Sequence, residues 1–441
     1  MYIRLNTKRG LSAILAAALL WGSPALVLPQ TAAAAPSAAS SSAPAFAVPK
    51  LTKEYGLFLK EKYGIEVGDA WTRGQYAAAL NAIAAGAAPS AEKAIVLTGR
   101  TTERLKALEA VSLALKAAEL EELAFTYSAN KAKSALAKLK LGWKADAFAT
   151  DKAKKLAAAV DAGLLPSDFY AEAKSDGPAS AALATTLLGK ALEARGQYKH
   201  YLGYTTDADI LVKLGDAYRT SDIIQAPELR QVVDEALKQN LVTGYNLKDG
   251  RYDANFIDSL SIVYGHSDFK HALQLVGLLR SEKIEAKVQF EPKTSAFIYL
   301  KEWGDPGVSD LYEVVRIENG NYIQYAKEYD LAFEFASAED KARFDRIILT
   351  YAKKNADDQP GLLYGSWWQP LYYSPTKLDN YKEISNNKIA AGQHYAQSFS
   401  LKERSAAVTE GFKKLNPAFE VENYDFWVDG PFYNYLQGES R

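Results

Sequence analysis

Midway along the chain a helical pattern runs directly into a strand pattern, and this change constrains the fold more than any other feature. Ser267 is a predicted N-cap, and Asp268 places a negative charge in the first helical turn, where the helix dipole favours it. The helix predicted over 268–282 has an apolar arc too wide to be buried on one side only. Apolar and polar residues then alternate over 286–291, which predicts a half-buried strand, and a second strand is predicted over 296–300. We therefore expect this helix to pack between a helical bundle and a sheet.

The two sides of this helix differ in composition. Residues 51–282 are rich in alanine and carry helical periodicity, which predicts an all-α region built of helix–loop–helix units. Residues 283–441 are richer in aromatic and β-branched side chains, and Asn319-Gly320 predicts the turn of a β-hairpin. We expect an α+β fold, in which the helical repeat region precedes an α+β domain with a mainly antiparallel sheet. The boundary is left open, because the helix over 268–282 can belong to either part.

The chain begins with the pattern of an export signal, predicted over residues 1–35. Three basic residues precede an apolar segment over 11–20, and a run of alanines follows further on. The apolar segment is too short for a membrane span, so we expect a secreted chain without a transmembrane helix. Residues 36–50 are rich in proline, alanine and serine, which predicts a disordered linker.

Charge and sulfur content exclude several classes of function. The whole chain has 52 Lys and Arg, and without the three in the export signal 49 remain against 53 Asp and Glu. A chain without a basic excess is poorly suited to neutralising phosphates, so nucleic acid is not an expected partner. The absence of cysteine excludes thiol catalysis, iron–sulfur clusters and cysteine-based zinc sites. Exported chains without cysteine are common in Gram-positive cell envelopes, and we expect a cell-wall location.

No pattern of catalytic or metal-binding residues predicts an enzyme. His266 and His271 are five residues apart, whereas two metal ligands on one helix face need a spacing of three or four. We therefore expect no metal site and no cofactor. No complete G-x-S-x-G nucleophile elbow surrounds Ser267, so we assign no catalytic residue.

Aromatic residues in the last fifth of the chain are candidates for contact with a ligand. They are Trp367, Trp368, Tyr372, Tyr373 and Trp427. The first four lie on an irregular, proline-broken segment, where not all rings can point inward. Exposed rings stack well on sugar faces, because each offers a flat apolar surface at little entropic cost. The alternative is that these rings form a small aromatic core beneath long loops.

In residues 241–255 and 72–77 the chain resembles the S-layer homology family, whose units anchor exported proteins to Gram-positive cell walls. Residues 241–255 (LVTGYNLKDGRYDAN) are similar to the loop of the family's unit, with one extra residue and Tyr252 in place of phenylalanine. Residues 72–77 (TRGQYA) are similar to the opening of its second helix. The two halves of the motif lie in different units here, and the resemblance covers roughly residues 51–282.

The resemblance implies that Thr72, Arg73 and Asp249 line grooves that bind an anionic cell-wall polysaccharide. A guanidinium suits that role, because it can form two parallel hydrogen bonds with a carboxylate. The alternative interpretation is structural. In it, Thr72 caps a helix, Arg73 is solvated, and Asp249 belongs to a turn.

These features together favour a secreted, non-catalytic protein that binds cell-wall polysaccharide or another extracellular glycan. One alternative is a secreted polysaccharide- or wall-acting hydrolase, anchored by the helical region. Glu291, Glu302 and Glu313 lie near the predicted strands and are its candidate acids. Another alternative is a surface scaffold that binds only other proteins.

Overall fold

Thirteen α-helices and ten strands lie in the part of the chain that the computed structural model describes, residues 47–85, 94–140, 150–351 and 369–439. The predicted export signal lies outside these ranges, and so do Trp367 and Trp368. None of the helices in the described ranges is both long enough and apolar enough to cross a lipid bilayer.

Seven helices precede the first strand and pack around one apolar core. They are α1 (Lys50–Tyr63), α2 (Arg73–Ala85), α3 (Ala107–Ala117), α4 (Ala129–Ala137), α5 (Asp151–Asp161), α6 (Tyr170–Ser175) and α7 (Ala181–Ala194). Ser128, Thr150 and Ser180 cap α4, α5 and α7, since each hydroxyl accepts a hydrogen bond from a backbone N–H three residues on. Many core residues are alanines, which lets the helices approach closely. Gly189 of α7 lies directly against the ring of Tyr55 of α1.

The remaining helices alternate with the strands. The helices are α8 (Ile210–Thr220), α9 (Pro227–Lys238), α10 (Lys270–Ser281), α11 (Ala338–Tyr351), α12 (Lys402–Leu415) and α13 (Gly430–Leu436). The strands are β1 (Gly203–Tyr204), β2 (Gly244–Asp249), β3 (Ser261–His266), β4 (Ala286–Tyr299), β5 (Tyr312–Arg316), β6 (Tyr322–Phe335), β7 (Tyr372–Ser374), β8 (Lys382–Ala391), β9 (His394–Ser400) and β10 (Glu422–Val428).

Eight of these strands form a closed antiparallel barrel. Their order is β4-β2-β9-β8-β10-β7-β3-β6, and β6 pairs again with β4 to close the ring. The closing pair is the longest in the sheet, running from Ala286 opposite Phe335 to Tyr299 opposite Tyr322. The short strands β1 and β5 pair with β4 and β6 respectively, in addition to the ring.

The barrel turns the apolar side of its strands outward and the polar side inward. On β4, Val288 and Phe290 pack with α8, α10 and α11 in one outer core. A second outer core lies beneath α9 and α12. The alternate residues of β4 point the other way and are polar yet buried; they are Lys287, Gln289, Glu291, Lys293 and Ser295. Because helices cover the outside, the polar side of each strand is enclosed within the barrel instead of facing solvent.

The two ends of the barrel are closed differently. At one end, Phe432 and Leu436 of α13 pack with Phe399 and Phe426 from the strands, which makes an apolar plug. At the other end, α1 and the segment 250–258 lie over the starts of β3 and β4. The polar interior is therefore sealed by hydrocarbon at one end only.

The fold class expected from the sequence is wrong in two respects. The sheet closes into a barrel, since β4 pairs with β2 along one edge and with β6 along the other. The expected helix–loop–helix repeats over 51–282 are not shown. Residues 241–255, which resemble the S-layer homology loop, contain β2 and a short 3-10 turn, so barrel strands occur well before residue 283.

The central helix also differs from its prediction. Ser267 does not cap α10, and the residue that precedes the helix, Phe269, makes no side-chain capping bond. The buried face of α10 packs in the outer core of the barrel and not in the core of the helical bundle. β4 is one continuous strand where two were expected. The hairpin turn predicted at Asn319-Gly320 is confirmed, since β5 and β6 pair on either side of it.

A cluster of four charged residues joins the helical bundle to the barrel. Lys199 Nζ lies 2.7 Å from Glu54 Oε1 of α1 and 2.7 Å from Glu334 Oε1 of β6. Lys287 of β4 contacts the same two carboxylates. Burial raises the pKa of Glu54, but hydrogen bonds and charges from Lys199 and Lys287 outweigh it and lower that pKa to about 2.

Glu54→Gln is therefore expected to destabilise the protein in a pH-dependent way. A carboxyl whose pKa is depressed in the folded state adds stability above its unfolded pKa, near 4.5, and loses it as the pH falls toward 2. We expect the variant to lose about 2 kcal/mol of unfolding free energy at pH 7. The difference from wild type should disappear near pH 2. Urea unfolding followed by circular dichroism between pH 2 and pH 7 measures it.

Glu66→Gln is the matched control, since Glu66 pairs with Lys60 at 2.6 Å on the surface with about two-thirds of its side chain exposed. Exposed pairs of this kind contribute little. A Glu54→Gln variant whose stability deficit is the same at every pH would contradict the assigned ion pairs.

Candidate functional site

The barrel interior is organised around two lysines and one aspartate. Lys248 Nζ of β2 lies 3.0 Å from Asp330 Oδ2 of β6 and also contacts Glu291 of β4. Lys293 Nζ lies 2.6 Å from Asp330 Oδ1. Burial alone would raise the pKa of Asp330, but the two ammonium groups hold it below its ordinary value. Burial alone would lower the pKa of Lys248, and the charges of Asp330 and Glu291 raise it instead. Lys248 therefore stays charged, and both lysines are engaged by Asp330.

A second polar network fills the interior toward the α13 end. Ser295 Oγ lies 2.7 Å from Asn246 Oδ1 and 2.5 Å from Glu328 Oε2. Gln369 contacts both Glu328 and Lys293. These side chains occupy the space between the ion pairs and the apolar plug, so this half of the barrel is filled by protein.

The other half of the interior holds a cavity of about 450 Å³. Five aromatic rings line it, namely Phe256, Tyr373, Tyr395, Tyr424 and Phe426. Three amide side chains also line it, namely Asn255, Asn386 and Gln397. Its charged lining residues are Lys62, Lys248, Asp253, Asp258, Glu291 and Asp425. A pocket of this size, with rings and a few convergent polar groups, is typical of a small-molecule site.

The cations of this cavity are already paired. Lys62 Nζ of α1 lies 2.6 Å from Asp258 Oδ1 at the rim, and Lys248 contacts Glu291 and Asp330 as described above. The carboxylates outnumber the lysines in the lining. The cavity therefore offers little attraction to an anion and suits a neutral, hydroxyl-rich molecule.

Two tyrosine hydroxyls of the cavity donate to carboxylates. Tyr373 Oη donates to Asp330 Oδ2 at 3.1 Å, and Tyr395 Oη donates to Asp253 Oδ1 at 2.7 Å. Burial raises the pKa of both tyrosines well above the ordinary value, so both remain protonated donors. These bonds hold the two rings in place along the cavity wall.

The residues predicted from the S-layer homology resemblance lie away from this cavity. Thr72 Oγ1 accepts from the backbone N–H of Gln75 at the start of α2. Arg73 Nε donates to Glu109 at 2.6 Å, and its other nitrogens donate to backbone carbonyls, so its guanidinium is occupied by the protein. Asp249 is at the end of β2 and accepts from Arg251. Their role in glycan binding stays a prediction.

The predicted aromatic residues are dispersed. Tyr373 lines the cavity, whereas the neighbouring Tyr372 is buried on the outer side of the barrel in the core beneath α10. Trp427 packs at the margin of that same core. Trp367 and Trp368 lie outside the described residues.

The candidate acids are also separated. Glu291 lines the cavity, but Glu302 and Glu313 are exposed and do not line it. His266 and His271 have ring centroids 4.4 Å apart. Among the described residues no group of three or more His, Asp or Glu side chains is placed to hold a metal ion.

Most cavity residues were missed by sequence reasoning. Lys248 and Asp253 lie close together in the chain, but Asn386 and Tyr424 come from two distant segments. One signal was present, since Lys287, Gln289, Glu291 and Lys293 occupy every second position of one strand. Such alternation predicts a half-buried strand, but here the polar side is also buried and faces the barrel interior. No family model, curated protein or solved structure matched the chain.

Proposed function

We propose that this protein is a non-catalytic binding protein whose ligand is a neutral glycan seated in the barrel cavity. The observation that carries the proposal is a 450 Å³ cavity lined by five aromatic rings in which both lysines are already paired. Aromatic faces stack on sugar rings, and the amides and carboxylates can bond their hydroxyls. The paired lysines favour a neutral sugar over an anionic one.

The test is the affinity of neutral oligosaccharides for the purified chain, measured by isothermal titration calorimetry. Tyr424 is 38% exposed, so Tyr424→Ala removes a ring from the cavity without emptying a buried core. We expect this variant to weaken binding by about tenfold or more, as is typical when a stacking ring is removed from a binding site.

Phe125→Ala is the control, because Phe125 is 78% exposed in the helical bundle and does not line the cavity. It should bind as wild type does. The proposal fails if no neutral glycan binds. It also fails if an anionic polymer binds and its affinity falls equally in Tyr424→Ala and Phe125→Ala.

Two aspartates in the same cavity favour hydrolysis as a second candidate function. Burial raises the pKa of Asp253. Burial acts in the same direction on Asp425, but hydrogen bonds from Lys402 and Ser385 outweigh it and hold that pKa below its ordinary value. Carboxyls whose environments separate their pKa values are the usual acid and base of glycoside hydrolysis. Turnover of a neutral glycan by wild type that is lost in Asp253→Asn would establish this function. Stable, unhydrolysed complexes would exclude it.

Export to the cell envelope is part of the proposal and rests on the sequence pattern of residues 1–35. Fractionation of the producing cell should place the protein in the wall or the medium. Accumulation of the intact chain inside the cell would contradict it.

A further inference from the structure

Exposed tyrosine rings surround the open end of the cavity. Among the tyrosine side chains that the structure describes, only Tyr201, Tyr252 and Tyr424 are exposed. Tyr424 lines the cavity itself. Tyr201 directly follows His200 in the chain, and Tyr252 directly precedes Asp253; both of those neighbours also line the cavity. In the described part of the chain, exposed tyrosines are therefore gathered at this one place.

Tyr201 is a fixed ring just outside the cavity. The backbone N–H groups of both its neighbours in the chain donate to backbone carbonyls 2.9 Å away. Its ring centroid lies 6.5 Å from that of Phe256, which lines the cavity, and 5.8 Å from that of Tyr204. Lys287 Nζ lies 5.6 Å from the ring, and 42% of Tyr201 remains exposed. A ring held in this way offers a flat apolar surface at little entropic cost.

The closed end of the barrel determines how a long ligand can enter. The apolar plug of α13 closes one end, and the ion pairs and the polar network fill the interior beside it. The cavity of about 450 Å³ lies in the lower part of the size range of small-molecule sites, roughly 300–1,000 Å³, so it holds only a short piece of a glycan. Further sugar units must therefore lie outside the open end, where Tyr201 is placed.

We propose that the cavity receives the end of a linear neutral glycan chain and that Tyr201 stacks on a sugar unit outside it. This inference rests on the proposed glycan-binding function and specifies its ligand as a chain longer than the cavity. Because Tyr201 contacts Phe256, ring surface continues from the cavity wall to the exterior. Successive rings suit a polymer of repeated sugars, since every unit offers a similar face for stacking.

The test is the dependence of affinity on chain length, measured by calorimetry on the purified full chain. The probes are cello- and malto-oligosaccharides of two to six units, and the same length series of any other neutral glycan that binds. We expect wild type to bind the hexasaccharide about tenfold more tightly than the disaccharide, which is about what one further stacking ring contributes.

Substitutions of Tyr201 test its part in this gain. Tyr201→Ala should lose the gain and keep the affinity for the disaccharide, which does not reach beyond the cavity. Tyr201→Phe keeps the ring and should keep the gain. Trp303→Ala is the matched control, because Trp303 is 48% exposed and contacts the ring of Tyr299, but follows the opposite end of β4. It should bind every oligosaccharide as wild type does.

Binding to a polymer tests entry by the chain end. Shortening a neutral polymer of the same linkage at constant mass raises the number of chain ends. The amount of protein bound per gram should rise in proportion to that number. An amount that shortening leaves unchanged means that the protein binds within chains, and it overturns entry by the end.

The outcomes separate this inference from the proposed function. Equal affinity of wild type for the disaccharide and the hexasaccharide overturns the inference and leaves glycan binding standing. A gain with length that Tyr201→Ala leaves intact overturns the assignment to Tyr201. Absence of binding by every neutral glycan overturns the proposed function itself. The wild-type length series needs no variant, so it decides the matter even if a substitution disturbs folding.

Discussion

Lys248→Met is expected to lower the free energy of unfolding by about 3–5 kcal/mol, because it leaves the buried Glu291 without a counter-ion and removes one of the two cations that pair with Asp330. Lys248 Nζ lies 3.0 Å from Asp330 and contacts Glu291, and all three side chains are almost fully buried. Methionine fills a similar volume but carries no charge, so the loss reports the ion pairs and not a cavity. Unfolding in urea, followed by circular dichroism at pH 7, measures the change.

Lys238→Met is the control for this substitution. Lys238 pairs with Glu235 at 3.5 Å, and both side chains are more than 40% exposed. We expect a change of about 0.5 kcal/mol or less. If Lys248→Met unfolds as wild type does, the interior carboxylates do not depend on Lys248, and the paired-cation argument for a neutral ligand loses its basis.

Gly189→Ala should produce the second large effect, in the helical bundle. A Cβ atom on this residue of α7 would lie 2.1 Å from the ring of Tyr55, which is fully buried and cannot swing aside. Tyr55 Oη is also tied to Glu193 at 2.5 Å. Helices α1 and α7 must therefore separate, at a cost of about 2–3 kcal/mol. Thermal and urea unfolding of the variant measure it.

Gly277→Ala in α10 is the matched control, because its added Cβ would meet nothing within 4 Å. There alanine should stabilise the protein by about 0.5–1 kcal/mol, since it costs less backbone entropy in a helix than glycine. A Gly189→Ala variant as stable as Gly277→Ala would mean that the α1–α7 contact is looser than described.

The strand pattern after residue 286 shows how far sequence reasoning reaches. Alternation correctly predicts a strand with two different sides, but it does not state which side faces the interior. The break expected between the predicted strands over 286–291 and 296–300 does not occur. On the side away from β6, β1 pairs with β4 up to Val288 and β2 pairs from Lys293 onward, so Pro292 lies in a gap between them. A residue without an N–H is tolerated there.

The candidate site could be predicted only in part. Tyr373 and Glu291 were identified from the sequence, and both line the cavity. Asn386 and Tyr424 were not, because neither has an unusual local pattern. The pairing of β8 with β10 brings these two residues together, and strand pairing cannot be deduced from either segment alone.

By itself, the sequence determined the local features whose causes lie within a few residues. These include the β5–β6 hairpin at Asn319-Gly320 and the alternation along β4. Only the tertiary structure decided that β6 returns to β4 and closes the barrel, and that helices α8 to α12 cover its outside. Because of that closure, the charged side chains of β4 face the barrel interior, whereas the polar side of a half-buried strand would face solvent. A period of two separates the faces of a strand, but burial depends on what packs against each face from distant parts of the chain.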